Sequence, residues 1–338
     1  MSPPLFLGDY MADGAVPNLK IAVCFFGHLR TYEKCAVSLR ENLLNGYDCD
    51  LFMHTWTTLD SPTQAWHGGY YEKVPGQTNK DDIINVYGEF KGLETEEQIP
   101  VDKGEVKTKV CEQSCFSISI WGLEASFHSM HRSNKLREKY QIENNIKYDF
   151  ILFVRPDILL KTRFIIQRFT EVLPQAKIER GFFTAVNAFL PIMTGPESFG
   201  SFDILFFGTP IVISDIMKNI TECWRRFKQN TIIEYCQEYE MINMIIECGW
   251  QPYYMIGYRQ EYEWCVLRYT SDEICATPIV DTRSCGRAIR RRVIKLRIRS
   301  RFLLWLFPAT RYNVISLQCS LFGVYTIDVA IGNPGREN

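Results

Sequence analysis

The chain has 338 residues, 46% of them hydrophobic and 14% aromatic, with 38 basic against 39 acidic side chains. That is ample apolar material for one large α/β core or two intimate ones. A net charge of −1 excludes bulk attraction to nucleic acid.

Residues 1–18 read as a loose leader, because Met1–Gly14 has neither the basic start nor the apolar centre of a signal peptide. Lys20–Phe26 (KIAVCFF) then forms an apolar run of strand length. Gly27 lets the backbone turn tightly at its exit, where a ligand can approach closely. Arg30 follows at the start of a helical pattern carried by Cys35, Leu39 and Leu43. A helix amino end beside a guanidinium suits a phosphate. Neither the six-residue glycine fingerprint nor a Walker loop is present, and an ordinary turn with a surface arginine fits the same residues. Cys49–Trp56 is the next strand, completing a βαβ unit. It ends in His54, a core histidine or a site residue, and in Trp56, a stacking or packing ring.

Residues 61–110 are rich in Gly, Lys, Glu and Asp and open with Trp66-His67-Gly68-Gly69-Tyr70-Tyr71. They predict a long excursion over the sheet, with a short helix near Asp81–Phe90. Ile118–Tyr140 reads as a helix with Trp121, Ala125, His128, Arg132 and Leu136 on one stripe. Arg132 fits a solvated position, and Lys135 either solvent or a phosphate.

Tyr148–Leu160 (YDFILFVRPDILL) carries the strongest signal. An apolar strand, Phe150–Val154, delivers Arg155 and Asp157 at its carboxyl end, where open α/β sheets place ligand chemistry. Such a strand accepts ionised groups only with partners. The two charges therefore serve a site or pair with each other.

Past Leu160 the pattern predicts a helix over Phe164–Leu173, an aromatic loop over Phe182–Phe199 and a strand over Ser201–Gly208. Thr209 can cap the next helix and Pro210 suits its first position, with the helix running to Phe227. Ile232–Cys248 reads as helical, stopped by Gly249. In the tail, Arg283–Arg301 is densely basic without an acid, and Ile289, Val293, Leu296, Leu303 and Phe307 fall near one helical face. That pattern suits an anionic membrane surface. A strand pair packed on the body fits as well, since Ile294, Leu296 and Ile298 alternate with basic residues. A nucleic-acid patch fits least.

Twelve cysteines are scattered through apolar segments, without the paired spacing of a zinc site. They read as free thiols in a reducing compartment. No run approaches the ~20 apolar residues of a membrane span. The expected location is cytoplasmic, or peripheral at the membrane through Arg283–Phe307.

Taken together, KIAVCFFGHLRT, CDLFMHTW, the helical Ser126–Leu136, KYDFILFVRPDILL and FDILFFGTP resemble a family of bacterial and viral polysaccharide- and lipopolysaccharide-biosynthesis proteins, regarded as glycosyltransferases of the GT-A type. The resemblance covers roughly Lys20–Trp250 and rests on the order and spacing of short motifs. It implies a GT-A-like, Rossmann-related mixed sheet flanked by helices over residues 19–270; the basic pattern of the tail makes residues 271–338 a basic amphipathic helical extension. It implies a nucleotide-sugar donor and a glycan or lipid-linked acceptor. Gly27, Arg30, His54, Lys135 and Arg155 would bind the donor, with Trp66 and Tyr70 stacking on it. Asp203, then Glu240, would serve the acceptor or act as general base. GT-A enzymes hold Mn2+ or Mg2+ with a DxD motif at a strand end. Here that motif is Arg155-Pro156-Asp157, so either Asp157 binds the ion or Arg155 neutralises the diphosphate directly; Asp157, a catalytic candidate, would bind metal or sugar, and Arg155 would steady phosphate or the Asp. Two alternatives remain: transfer of another activated group onto a glycan, and a non-catalytic, membrane-associated glycan-assembly protein.

Overall fold

Seven residues, Lys20–Phe26, form strand β1, and all but the first are buried. Burial on both faces is what a strand between two helical layers requires. The computed structural model describes residues 19–60, 74–98, 105–111, 114–171, 173–186, 204–229, 232–234, 237–259, 264–269, 274–276, 314–319 and 325–330. In it β1 pairs in parallel with β2 (Asp48–Trp56) on one side and with β6 (Phe150–Val154) on the other. Strand β3 (Gly92–Glu96) extends the parallel set beyond β2. On the far side come β9 (Leu205–Gly208), β8 (Gly181–Val186) and β11 (Gln251–Arg259). The sheet order is β11-β8-β9-β6-β1-β2-β3, and β9 is antiparallel to both its neighbours.

Side chains alternate across this sheet. Ile21, Val23, Phe25, Leu152, Val154 and Phe207 face helices α1 (Tyr32–Asn42) and α2 (Lys80–Tyr87). Ala22, Cys24, Phe26, Ile151, Phe153 and Phe206 face α3 (Ile120–Glu143) and the helices Pro210–Gln229 and Gln237–Glu247. Much of the aromatic content is core. Phe153 stacks on Phe206 at 4.8 Å, and Phe183 stacks on Phe207 at 4.6 Å. The result is a mixed sheet flanked by helices on both faces. The chain leaves β1 through α1 toward β2, and enters β6 from α3 on the opposite face. Strand order therefore reverses between β1 and β6, and their carboxyl ends open side by side.

Several sequence expectations change. The excursion after β2 carries strands: β3, then the hairpin β4 (Glu105–Cys111) and β5 (Ser114–Ser119). The expected aromatic loop begins instead with β8. Phe182 and Phe183 are buried between β9 and β11, because their bulk belongs to the core. The helix expected over Phe164–Leu173 shrinks to Gln167–Thr170, with a second short one at Gln175–Glu179. Ile232–Cys248 divides into β10 (Ile232–Glu234), paired with β4, and the helix Gln237–Glu247. Pro210 does open its helix, but Thr209 Oγ1 donates to the Glu179 carbonyl at 3.2 Å instead of capping.

Further along, β7 (Ile158–Leu160) pairs with β12 (Trp264–Tyr269), which pairs with β13 (Ile274–Ala276). β14 (Val314–Cys319) pairs antiparallel with β15 (Tyr325–Ala330). The described parts of 271–338 are thus strands. The helix expected at Arg283–Phe307 lies outside the described residues. Among the described residues, no helix is long and apolar enough to cross a membrane.

Candidate functional site

β1 runs out at Gly27, whose φ of 88° lies in the left-handed region that glycine tolerates. Among the described residues nothing lies within 4 Å of where its Cβ would stand, so the demand is conformational. The Gly27 N–H donates to Ser129 Oγ at 2.7 Å, and its carbonyl accepts from Thr55 Oγ1 at 2.9 Å. Three residues on, Arg30 is itself left-handed, with φ 47°. A non-glycine residue there is strained backbone held by its surroundings. Its N–H donates to the Leu59 carbonyl at 2.8 Å.

The Arg30 side chain reaches two carboxylates: Nε to Asp60 Oδ1 at 2.8 Å, and Nη1 to Asp157 Oδ2 at 3.0 Å. From the end of β6, Arg155 grips Asp157 with two prongs, Nε to Oδ1 at 2.9 Å and Nη2 to Oδ2 at 2.6 Å. Asp157 is fully buried. An anion so placed needs partners, and the two arginines supply them. Burial works against the Arg30 cation, but Asp157 and Asp60 outweigh it and raise its pKa above the ordinary value. His28, nearby in sequence, goes the other way. Burial first, then the Arg30 charge, lowers it to about 4 and keeps it neutral.

These contacts bear on the divalent ion that the resemblance implies. A cation at Asp157 would share a carboxylate already held through both oxygens by guanidinium groups. Asp157 as placed does not fit a Mn2+ or Mg2+ ligand, for reasons of charge and of geometry.

A second cluster stands at the ends of β2 and β3. His54, fully buried, contacts Ser129 Oγ through Nδ1 at 2.9 Å and Glu96 Oε2 through Nε2 at 3.2 Å. His128, on α3, brings its Nε2 to the same Glu96 oxygen at 2.9 Å. Burial lowers His54 to about 4 despite the opposing pull of Glu96. Desolvation works against the Glu96 carboxylate, but it is outweighed, first by the contact with His128, and the pKa lies below its ordinary value. The Trp56 ring stacks on His128 at 5.7 Å and meets His54 edge-on at 5.0 Å. Beside them Arg132, expected in solvent, pairs with Glu94 of β3.

The structure brings together Gly27, Arg30, Arg155 and Asp157 from the sequence expectations. His54 sits in the neighbouring cluster, joined to Gly27 through Ser129. Lys135 is not part of either group: it is half exposed on α3 and pairs with Glu138 at 3.1 Å. Glu240 belongs to the helix Gln237–Glu247. Asp203, Trp66 and Tyr70 lie outside the described residues. Asp60, Glu96 and Ser129 were not singled out as site residues, and no local motif marks them; only the chain path gives them partners. His128 appeared merely as part of a helical stripe. No protein-family model matches the chain, and no curated protein matches it.

Proposed function

We propose that the chain is a GT-A-like glycosyltransferase that moves a sugar from a nucleotide-activated donor to a glycan or lipid-linked acceptor in surface-polysaccharide assembly. The observation that supports it most is the arginine pair at the carboxyl ends of β1 and β6, where strand order reverses. Open α/β sheets bind ligands at that crevice. A nucleoside diphosphate gains negative charge as the sugar departs, and preoriented cations stabilise that charge without having to reorganise. In this reading Asp60 and Asp157 hold the Arg30 guanidinium at Nε and Nη1, and Nη2 is offered to a phosphate oxygen. Arg155 adds positive field, and Gly27 keeps the β1 turn free of a side chain. Asp203 and Glu240 stay candidates for the acceptor side, and Arg283–Phe307 for an anionic membrane surface.

The non-catalytic alternative has one observation on its side. An Asp157 held by two arginines is also what a purely structural ion pair looks like. Donor hydrolysis by the purified full chain separates the two. Release of nucleoside diphosphate from a nucleotide sugar, lost in Arg155→Ala, is expected of the transferase. No release from any donor, with or without acceptor, contradicts it.

A further inference from the structure

We propose that His54, Glu96 and His128 form a mononuclear site for a divalent ion of the zinc class, independent of the nucleotide-sugar reading. Ser129 has one hydroxyl proton for three contacts. Its Oγ touches the Gly27 N–H at 2.7 Å, the His54 carbonyl at 3.0 Å and His54 Nδ1 at 2.9 Å. The N–H can only donate and the carbonyl can only accept, while the hydroxyl has one proton and two lone pairs. One assignment serves all three contacts. Ser129 donates to the His54 carbonyl and accepts from Gly27 N–H and from His54 Nδ1–H. A neutral His54 then carries its lone pair on Nε2.

That lone pair faces Glu96 Oε2 at 3.2 Å, and a carboxylate oxygen brings no proton of its own. Nitrogen and oxygen would meet acceptor to acceptor. A metal ion between the two atoms resolves the conflict without an added proton.

The donor set agrees. Nitrogen from two imidazoles and oxygen from one carboxylate suit zinc and its neighbours, whereas Mg2+ and Ca2+ favour oxygen-only sets. The ligand atoms all lie within 4.8 Å of one another. Metal–ligand bonds of about 2.0–2.2 Å place tetrahedral ligand atoms roughly 3.3 Å apart. Two of the three separations, 3.2 and 2.9 Å, are already near that. The His54 Nδ1–H bond to Ser129 is the outer-shell contact that orients a metal-bound histidine. Trp56, 4% exposed, packs against both rings. The ligands come from β2, β3 and α3, so secondary-structure elements and not loops set the geometry. His128 and Glu96 have side chains 40% and 42% exposed, which directs a fourth coordination position outward. Three protein ligands with one open position is the pattern of a reactive zinc site.

The test strips the full chain with a chelator and titrates it with Zn2+, then with Co2+ as a coloured substitute. Wild type is expected to bind one ion. His128→Ala and Glu96→Gln, both at half-exposed positions that leave the core intact, are expected to weaken it at least 100-fold while circular dichroism stays native. The Co2+ spectrum should show weak visible bands and no intense thiolate charge-transfer band. Absence of binding overturns the proposal. So does binding that both variants leave unchanged, or a thiolate band, either of which would assign the ion to cysteines. Donor hydrolysis is read separately, so the failure of one proposal is distinguishable from the failure of the other.

Discussion

Asp157→Asn takes the shared charge from between two guanidinium groups. Losing one member of a buried ion pair costs about 3 kcal/mol. The variant should unfold at clearly lower urea with an unchanged slope, and an unchanged midpoint would contradict the geometry. His28 gives a second, pH-dependent expectation. Its folded pKa, about 4, lies below its ordinary value of 6.5. As pH falls, the unfolded chain takes the proton first, so the contribution is full above about 6.5 and is lost toward about 4. Over that window wild type should lose about 3 kcal/mol more than His28→Gln; parallel curves would contradict it. At this scale the sequence announced Arg30, Arg155 and Asp157, because charges abruptly ending an apolar strand stand out. It offered an Arg155–Asp157 pair as one reading, and the structure has it, but it did not announce that Arg30 joins them. Arg30 follows a strand 127 residues before Asp157 in the chain, and Asp60 enters from a loop, so only the fold shows that Arg30 serves carboxylates as well as any ligand.

Helix α3 shows why elements are harder to read than strands. Its stripe pointed to Trp121, Ala125, His128, Arg132 and Leu136; Ala125 is buried and Leu136 packs against the core, but the buried face also holds Leu123, Phe127, Ser129, Met130, Ser133, Asn134 and Arg137. Half of that face is polar, and hydrogen bonds within α3 and to Ser214 hold Arg137 there. Nη1 donates to Gln141 Oε1 at 2.6 Å, and Nη2 to Asn134 Oδ1 at 2.5 Å and Ser214 Oγ at 2.9 Å. Hydrophobic periodicity has no means of seeing a buried arginine that brings its own partners. Arg137→Met keeps the apolar stem and removes the donors, stranding buried acceptors. A loss of about 2 kcal/mol is expected, read by thermal unfolding; a neutral result would mean the seam is solvated. The parallel strands β1, β2 and β6 were legible because burial on both faces leaves continuous apolar runs. β3, Gly92-Leu93-Glu94-Thr95-Glu96, was not, since a charged edge strand carries no such run.

For the whole molecule, the sequence pointed to a helix-flanked mixed sheet, and the structure has one. The described strands of the tail, β13 to β15, replace part of the expected helical extension. The basic segment Arg283–Phe307 still makes a prediction of its own. On an anionic leaflet each basic residue near the surface adds about 1 kcal/mol. Replacing Arg290, Arg291 and Arg292 with Gln should release the protein from anionic vesicles in a salt-sensitive way. Wild type that ignores such vesicles at low salt, where screening is weakest, contradicts the membrane role.

We propose that the crevice between β1 and β6 binds a nucleoside diphosphate through Arg30. Calorimetric titration of the wild-type chain, Arg30→Lys and Arg30→Ala with a panel of nucleoside diphosphates tests it most directly. Loss of a charge-assisted contact is worth about 1.5–3 kcal/mol. At least one nucleotide should therefore bind wild type saturably, with affinity down about 10- to 150-fold in Arg30→Ala and partly restored in Arg30→Lys, which keeps the charge. Absence of binding by every nucleotide, or equal affinity in a folded Arg30→Ala, would contradict it.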